Sequence, residues 1–371
     1  MQSVRFRRLL GAPGPFASVY FDDPYDTQDP AAELNLRWSA VREQLERQGA
    51  DKSMTADIEY AVMDLRSPIG RGGRVVIAGA TGVILNENLL RPAAEPVVRV
   101  SELPYIVPIL EHGVEYSRYL LVVIDPNGAL IINHIDVTRF SETVDAHGCA
   151  APEAPGAEAV ADDAPPLRAV CDRVTELVPD TSFSPVFLVG DVCSRSDLLS
   201  TMPERVREHA ISLPIAVRRG GYDFEEIQRA IDTTLLQQRL TTVDDAAERF
   251  TREIGRRSGL AAQGLGDVCS ALRRGAVDTM IIGDQLDDLT VVADEALTTV
   301  APNADVLSEQ GAAPAKTLRA DEALPLLAIS HGASLVRTDE RIAPADGIAA
   351  VLRHAPALGA TGRSHGGGGG I

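Results

Sequence analysis

His147 and Cys149 stand two residues apart at the head of a stretch, Asp145 to Pro166, made otherwise of alanine, proline, glycine, valine and acidic residues. An imidazole beside a thiol is the pairing that activates a nucleophile. Near neighbours in one loop do not make a preorganised pair, and no relay acid with a defined place accompanies them, so catalysis is not expected here. Asp244, Asp245 and Glu248 fall on one turn of a helical pattern. Three carboxylates can hold a divalent cation, but the same spacing is that of an ordinary solvated helix face. The four cysteines, Cys149, Cys171, Cys193 and Cys269, show neither C-x-x-C pairing nor metal-like spacing with histidine. They read as isolated thiols of a reducing compartment. No phosphate-binding G-x-x-x-x-G-K-[ST] run occurs, and no metal or cofactor is expected.

The cations are nearly all arginine, with Lys52 and Lys316 the only lysines. They gather as Arg5/Arg7/Arg8, Arg71/Arg74, Arg218/Arg219, Arg252/Arg256/Arg257 and Arg273/Arg274. Guanidinium suits bidentate phosphate contacts and stacking on bases; solvated faces written in arginine codons are the alternative. The formal net charge of −18 opposes simple nucleic-acid binding, and DNA is not an expected partner. Hydrophobic residues at 45% and charged ones at 24% fit a soluble globular chain. The longest aliphatic run, Leu120 to Ile124, is too short to cross a bilayer, and Met1–Arg8 leads into no apolar segment. A cytoplasmic protein without membrane contact is expected.

At 371 residues, two or three domains are expected. Residues 16–21 read as a strand. Leu34, Trp38, Val41, Leu45 and then Met54, Ile58, Val62, Leu65 fall at helical spacing. In the turn between these helices, Gly49 can end the first and Ser53 can cap the second. Val75–Ala78 and Val97–Val100 read as strands, and Pro104 and Pro108 lead out to a boundary near Gly113. The hairpin Tyr119–Asn133 turns at Pro126-Asn127-Gly128. A helix near Leu167–Val178, a buried strand Val186–Gly190, a helix beginning near Ser196 and a periodic helix from Phe224 to about Leu240 follow. Val243, Ala247, Phe250 and Ile254 open a third unit on one helical face. Helix positions Val268 and Leu272, the strand Val277–Ile282 and helices at Asp321–Ile329 and Gly347–Leu352 complete it. The tail from Leu358 cannot bury a core and reads as flexible.

Several of these segments carry a family resemblance. Tyr119-Leu-Leu-Val-Val-Ile-Asp-Pro-Asn-Gly-Ala-Leu-Ile-Ile-Asn133 resembles the opening of the central domain of archaeal and eukaryotic release factor one and of Pelota. Asp125-Pro-Asn-Gly-Ala129 stands at that family's Asp-x-x-Gly-Ala turn. Cys269-Ser-Ala-Leu-Arg-Arg-Gly-Ala-Val-Asp-Thr-Met-Ile-Ile282 resembles the helix, Gly-Ala-Val turn and strand of the domain related to ribosomal protein L7Ae. The helix–loop–helix between two strands resembles the decoding domain, and Ala50-Asp-Lys-Ser53 keeps the Lys-Ser half of its Asn-Ile-Lys-Ser loop. Where the family carries the Gly-Gly-Gln tip that hydrolyses peptidyl-tRNA, residues 145–166 hold no glutamine, lysine, arginine or aromatic. The Gly70-Arg-Gly-Gly-Arg74 run lies in the first unit and reads as a turn, not as a displaced tip.

The resemblance implies an α/β and α+β multidomain fold of three domains. These are a decoding-type domain at 1–113, a central release-factor-like domain lacking Gly-Gly-Gln at 114–240 and an L7Ae-like domain at 241–356, followed by a glycine-rich tail at 357–371. It implies a non-catalytic, Balon-like ribosome hibernation factor of the actinobacterial kind, occupying the A site. A translational GTPase such as EF-Tu would be its carrier. Arg47, Asp51, Lys52 and Ser53 would meet 16S rRNA on the decoding side, and His147, Gly148 and Cys149 would meet 23S rRNA on the peptidyl-transferase side. Arg218, Arg219, Arg256, Arg257, Arg273 and Arg274 are further candidate contacts to RNA or a partner. Two alternatives stay open: a peptidyl- or aminoacyl-tRNA hydrolase or nuclease, and a protein-interaction module that never meets a ribosome.

Overall fold

The computed structural model describes residues 5–23, 29–64, 72–91, 93, 95–113, 118–125, 128–135, 138–145, 167–178, 185–215, 223–338 and 341–355. It divides into two compact units, Met1–Thr242 and Val243–Ile371, and it is a mixed α/β fold with several sheets.

The first unit opens with α1 (Arg7–Leu10), β1 (Phe16–Asp23), α2 (Pro30–Arg47), α3 (Lys52–Asp64), β2 (Gly72–Gly79), β3 (Gly82–Leu89), β4 (Val97–Ser101) and α4 (Val107–His112). The four strands form an antiparallel sheet in the order β3-β2-β1-β4. Ala17, Val19 and Phe21, every second residue of β1, point to one face. There they bury against Leu34, Trp38, Val41 and Leu45 of α2 and Met54, Ile58 and Val62 of α3. The helical spacing in the sequence marks these two faces correctly. Asp29 caps α2 by accepting from the Ala32 N–H at 3.1 Å, with Pro30 in the first turn.

This region holds one strand that the sequence reading leaves unassigned, and two readings in it need correction. β3 is a strand that polar residues conceal: Asn86, Glu87 and Asn88 break its apolar pattern because two of them are paired. Glu87 holds Arg5 through both carboxylate oxygens, at 3.2 and 2.8 Å from Nε, and Asn86 Oδ1 accepts from Arg74 Nε at 3.0 Å. Gly72, Gly73 and Arg74 already belong to β2 rather than to a turn. Arg74 is completely buried and donates to the carbonyls of Ala61 (2.5 Å) and Val62 (3.2 Å), so it serves the end of α3 and offers nothing to phosphate. The segment with Pro108 is a helix, α4, whose Val107, Ile109 and Leu110 are buried.

The unit continues with β5 (Arg118–Asp125), β6 (Gly128–Ile135), β7 (Thr138–Asp145), α5 (Arg168–Leu177), β8 (Val186–Val189), α6 (Val192–Thr201), α7 (Glu204–Arg207), β9 (Ala210–Ser212) and α8 (Phe224–Arg256). The sheet order is β7-β6-β5-β8-β9, an antiparallel meander joined to parallel strands. β5 is buried from Tyr119 to Ile124 because both faces are covered. Leu120, Val122 and Ile124 meet Val170 and Val174 of α5 and Leu198 of α6. Tyr119, Leu121 and Val123 meet Ile227, Ile231 and Leu235 of α8 on the opposite side. α6 starts at Val192 and not near Ser196, because Asp191 caps it, accepting from the Ser194 N–H at 3.0 Å.

α8 does not end near Leu240. It runs on to Arg256, and the division between the units falls inside it. In the second unit Val243, Ala246 and Phe250 are buried against Ile281, Val336, Ala349 and Val351, while Ile254, expected on that face, is exposed. Next come β10 (Ala261–Gln263), α9 (Leu265–Arg273), β11 (Val277–Ile282), β12 (Thr290–Ala293), β13 (Val300–Ala301), α10 (Ala304–Glu309), β14 (Lys316–Arg319), α11 (Ala320–Ser330), β15 (Ser334–Arg337) and β16 (Ile348–Leu352). They form two sheets, β10-β16-β11-β15 and β13-β12-β14. The expected helix at Gly347–Leu352 is thus an interior strand. Its five residues are all buried, and a short apolar run flanked on both sides by partners has no polar face to betray its period.

Candidate functional site

The turn between α2 and α3 is built by two capping devices and one side-chain clamp. Gly49, at φ +83°, lets the chain leave α2 in the left-handed region. Its N–H donates to Glu46 O at 3.1 Å, and that of Ala50 donates to Leu45 O at 3.0 Å, the pairing of a Schellman end. Gly49 therefore ends the helix as its sequence position indicates. The cap of α3 is Asp51 and not Ser53. The Asp51 carboxylate accepts from the Met54 N–H at 2.7 Å and from the Ser53 hydroxyl at 2.9 Å. Those two bonds, the backbone one first, hold its pKa below the ordinary carboxylate value. The hydroxyl of Ser53 is thus occupied, while Lys52, the first helical residue, is exposed. Arg47 is also exposed and donates to its own helix, to Glu43 O at 3.4 Å.

Gln48 fixes where this turn sits. Its Nε2 donates to Val98 O at 2.7 Å, and its Oε1 accepts from the Val100 N–H at 2.9 Å. A primary amide here does the work of one residue of an added strand, and it closes part of the open edge of β4. The sequence gives no hint of it, because a glutamine before a glycine is legible as a clamp only once β4 is known to lie beneath. With Glu43 and Glu46 beside Arg47, Asp51 and Lys52, the turn is not basic. Binding there would rest on shape and on point contacts from Lys52.

The second place of interest is the stem between β7 and α5. His147, Gly148 and Cys149 lie outside the described residues, as do Arg218 and Arg219; the stem is described. Arg173 of α5 grips Glu142 of β7 through two bonds, Nε to Oε1 at 2.7 Å and Nη2 to Oε2 at 3.0 Å, and also meets Glu176 at 2.9 Å. These carboxylates raise the pKa of the guanidinium, Glu142 first. Val144 packs on the core that Leu167 and Val170 enter. The described residues that flank positions 146–166, Val144 and Leu167, therefore pack on one core.

Among the described residues, several other ionisable groups are buried or paired. Cys269 is buried and its thiol pushed up to about 12 by desolvation, and burial also raises Cys171. Asp232, half-buried on α8, has its pKa raised by burial and accepts from Gln228 at 2.9 Å. Asp244 pairs with Arg341, and no group of three potential metal ligands occurs among the described residues. No helix of the described residues is long and apolar enough to cross a membrane.

Residues 118–256 match the model of bacterial archaeo-eukaryotic release factor family 2. Over 365 residues the chain is 42% identical to the uncharacterised protein Rv2629 of Mycobacterium tuberculosis, covering 96% of this chain and 97% of that one. The chain belongs to this release-factor family. Solved structures that it resembles include Dom34 of Saccharomyces cerevisiae, a translation termination-like factor interacting with Hbs1, at 12% identity, 78% and 81% coverage and a TM-score of 0.41. Pelota of Archaeoglobus fulgidus is matched at 15% identity, 76% and 80% coverage and a TM-score of 0.30. The matched region of the family model runs from the first residue of β5 to the last of α8, so it contains the whole central sheet, the loop stem and the helix that leads into the second unit.

Of the remaining candidates in this family member, Arg256, Arg257, Arg273 and Arg274 are all exposed and lie near the ends of α8 and α9. All four belong to the second unit.

Proposed function

We propose that the protein occupies the A site of idle or stalled ribosomes without hydrolysing the bound tRNA, as a hibernation factor of the Balon kind. The observation that carries this reading is the sequence of the 146–166 segment in a member of the release-factor family. A hydrolytic tip needs donors placed where negative charge develops on the ester. This stretch has no glutamine, lysine or arginine, and it carries Glu153, Glu158, Asp162 and Asp163 instead. Glycines that would let backbone approach the ester closely are reduced to Gly148 and Gly156. Occlusion of a site needs only complementary shape and enough contacts.

On this reading the α2–α3 turn faces the decoding centre, with Lys52 as a point charge to 16S rRNA, and the 146–166 segment faces 23S rRNA at the peptidyl-transferase centre. The incomplete Asn-Ile-Lys-Ser loop carries no stop-codon recognition. A translational GTPase of the EF-Tu type delivers the protein and offsets the weak attraction of a −18 chain for RNA. The test is incubation of purified protein with ribosomes carrying peptidyl-tRNA at each stop codon. We expect sedimentation with 70S particles, no released peptide and intact tRNA. Release that disappears in His147→Ala would replace occupancy with a hydrolase. Absence from the ribosome pellet at every salt concentration would leave the interaction-module reading.

A further inference from the structure

We propose that the end of the second unit's larger sheet, where α8, α9 and α11 all terminate, is a binding surface for the phosphate backbone of RNA. The partner class rests on the ribosomal reading above; the surface itself rests on how the chain is held. At the end of β16, Leu352 donates its N–H to Leu260 O at 2.9 Å, and the next residue, Arg353, donates its N–H to Ala276 O at 2.8 Å. Two consecutive residues therefore tie together the chain leaving α8 and the chain leaving α9. Arg257 precedes Leu260 by three residues, and Arg273 precedes Ala276 by three. Three residues span at most ~10 Å, so the arginines at both helix ends lie around this one knot.

The segments 252–260, 270–278 and 350–355 hold six arginines and two acids, Glu253 and Asp278, which makes this end strongly basic in an acidic chain. Asp278 is already engaged by Arg249 at 2.9 Å. Cations at helix C-termini have an ordinary use, since they offset the negative end of the dipole and occupy its last carbonyls. At the ends of α9 and α11 that use is filled by others. The Arg353 guanidinium donates to Gly275 O (3.2 Å), His331 O (3.2 Å) and Gly332 O (2.8 Å), spanning the ends of α9 and α11. Arg274 donates to the Ser270 hydroxyl at 2.7 Å. Arg256, Arg257 and Arg273 are exposed and make no side-chain hydrogen bond or ion pair among the described residues. Guanidinium presents a planar fork of donors that matches phosphate oxygens, and three such forks on one rim suit successive phosphates of a strand.

The experiment uses the full chain and a short fluorescein-labelled single-stranded RNA, with anisotropy measured between roughly 50 and 200 mM KCl. The variant is Arg256→Ser, Arg257→Ser, Arg273→Ser together, with the three lysine substitutions as a second variant. Losing three phosphate contacts lowers the slope of log affinity against log salt by about two, at ~0.7 per contact for a single strand. Lysines restore most of the slope, and the thermal midpoint stays at the wild-type value because the side chains are exposed and unpaired. An unchanged slope in the serine variant overturns the proposal. So does displacement of the wild type from a polyglutamate column by salt alone with no RNA binding, which marks an acidic protein partner. If the wild type sediments with ribosomes and the serine variant keeps its RNA slope, this surface falls while the ribosomal reading stands. If the slope falls but the wild type never sediments with ribosomes, the reverse holds.

Discussion

Gln48 is bound to Val98 by a side-chain amide that donates to its carbonyl at 2.7 Å, and the same amide accepts from the N–H of Val100, two residues on along the open edge of β4, at 2.9 Å. The turn carrying Lys52 is thereby attached to a sheet edge as well as to its own two helices. Gln48→Ala removes both bonds and is expected to cost about 1–3 kcal/mol. Gln48→Glu keeps the acceptor but sets a carboxylate oxygen against the Val98 carbonyl, and should cost as much or more. Urea unfolding measures both; an alanine variant as stable as wild type would show that the clamp does not hold in solution.

Asp51 gives the same turn a dependence on pH. Its folded pKa lies below the ordinary aspartate value because the Met54 N–H and the Ser53 hydroxyl favour the carboxylate. Its stabilisation is therefore full above the unfolded value and is lost as pH falls through the lower folded one. Asp51→Asn keeps a capping oxygen that does not titrate. The wild type should exceed this variant in urea midpoint at pH 7, and the gap should narrow as pH drops toward ~3. A gap that stays constant would remove the charge from the account of the cap.

Arg74 is buried to zero exposure between α3 and β3. Arg74→Lys loses the fork that reaches Ala61, Val62 and Asn86 together, and it leaves at least one buried carbonyl without a donor; Arg74→Ala loses every donor. The expected cost is ~1.5–3 kcal/mol for lysine, and more for alanine. A lysine variant within ~0.5 kcal/mol of wild type by denaturation would contradict the role assigned to the fork.

Much of this fold is legible in the sequence wherever one face of an element meets solvent. The period of Leu34, Trp38, Val41 and Leu45 gives α2 because its other face is wet. Legibility fails where an element is buried on both sides, as in β16, or where a buried polar contact replaces an apolar one, as in the Glu87–Arg5 ion pair and the hydrogen bonds of Arg74. It fails too where a boundary between units has no break in helical period, as along α8. In the candidate site, Lys52 and Gly49 are readable from the turn itself. Gln48, Arg173 and Arg353 are not, because each acts on backbone or a carboxylate 31 or more residues away, or across two helix ends, and only the folded chain names those partners.

Lys52→Glu with Arg47→Glu probes the decoding-side contact. Both side chains are exposed, so stability should change by less than ~0.5 kcal/mol. Two reversed charges should weaken ribosome association several-fold at ~50 mM salt, with a smaller effect at ~200 mM. Pelleting that is unchanged across the salt series would remove this turn from the interface.

Competition for the A site tests the central claim most directly. Ribosomes with a filled P site and an empty A site are mixed with labelled aminoacyl-tRNA or a labelled release factor, and increasing amounts of the protein are added with and without an EF-Tu-type GTPase. Occupancy predicts that bound label falls in a saturable way while the P-site tRNA stays esterified, and that the GTPase lowers the amount needed. Label that stays bound at saturating protein, or P-site tRNA that loses its peptide, would contradict it.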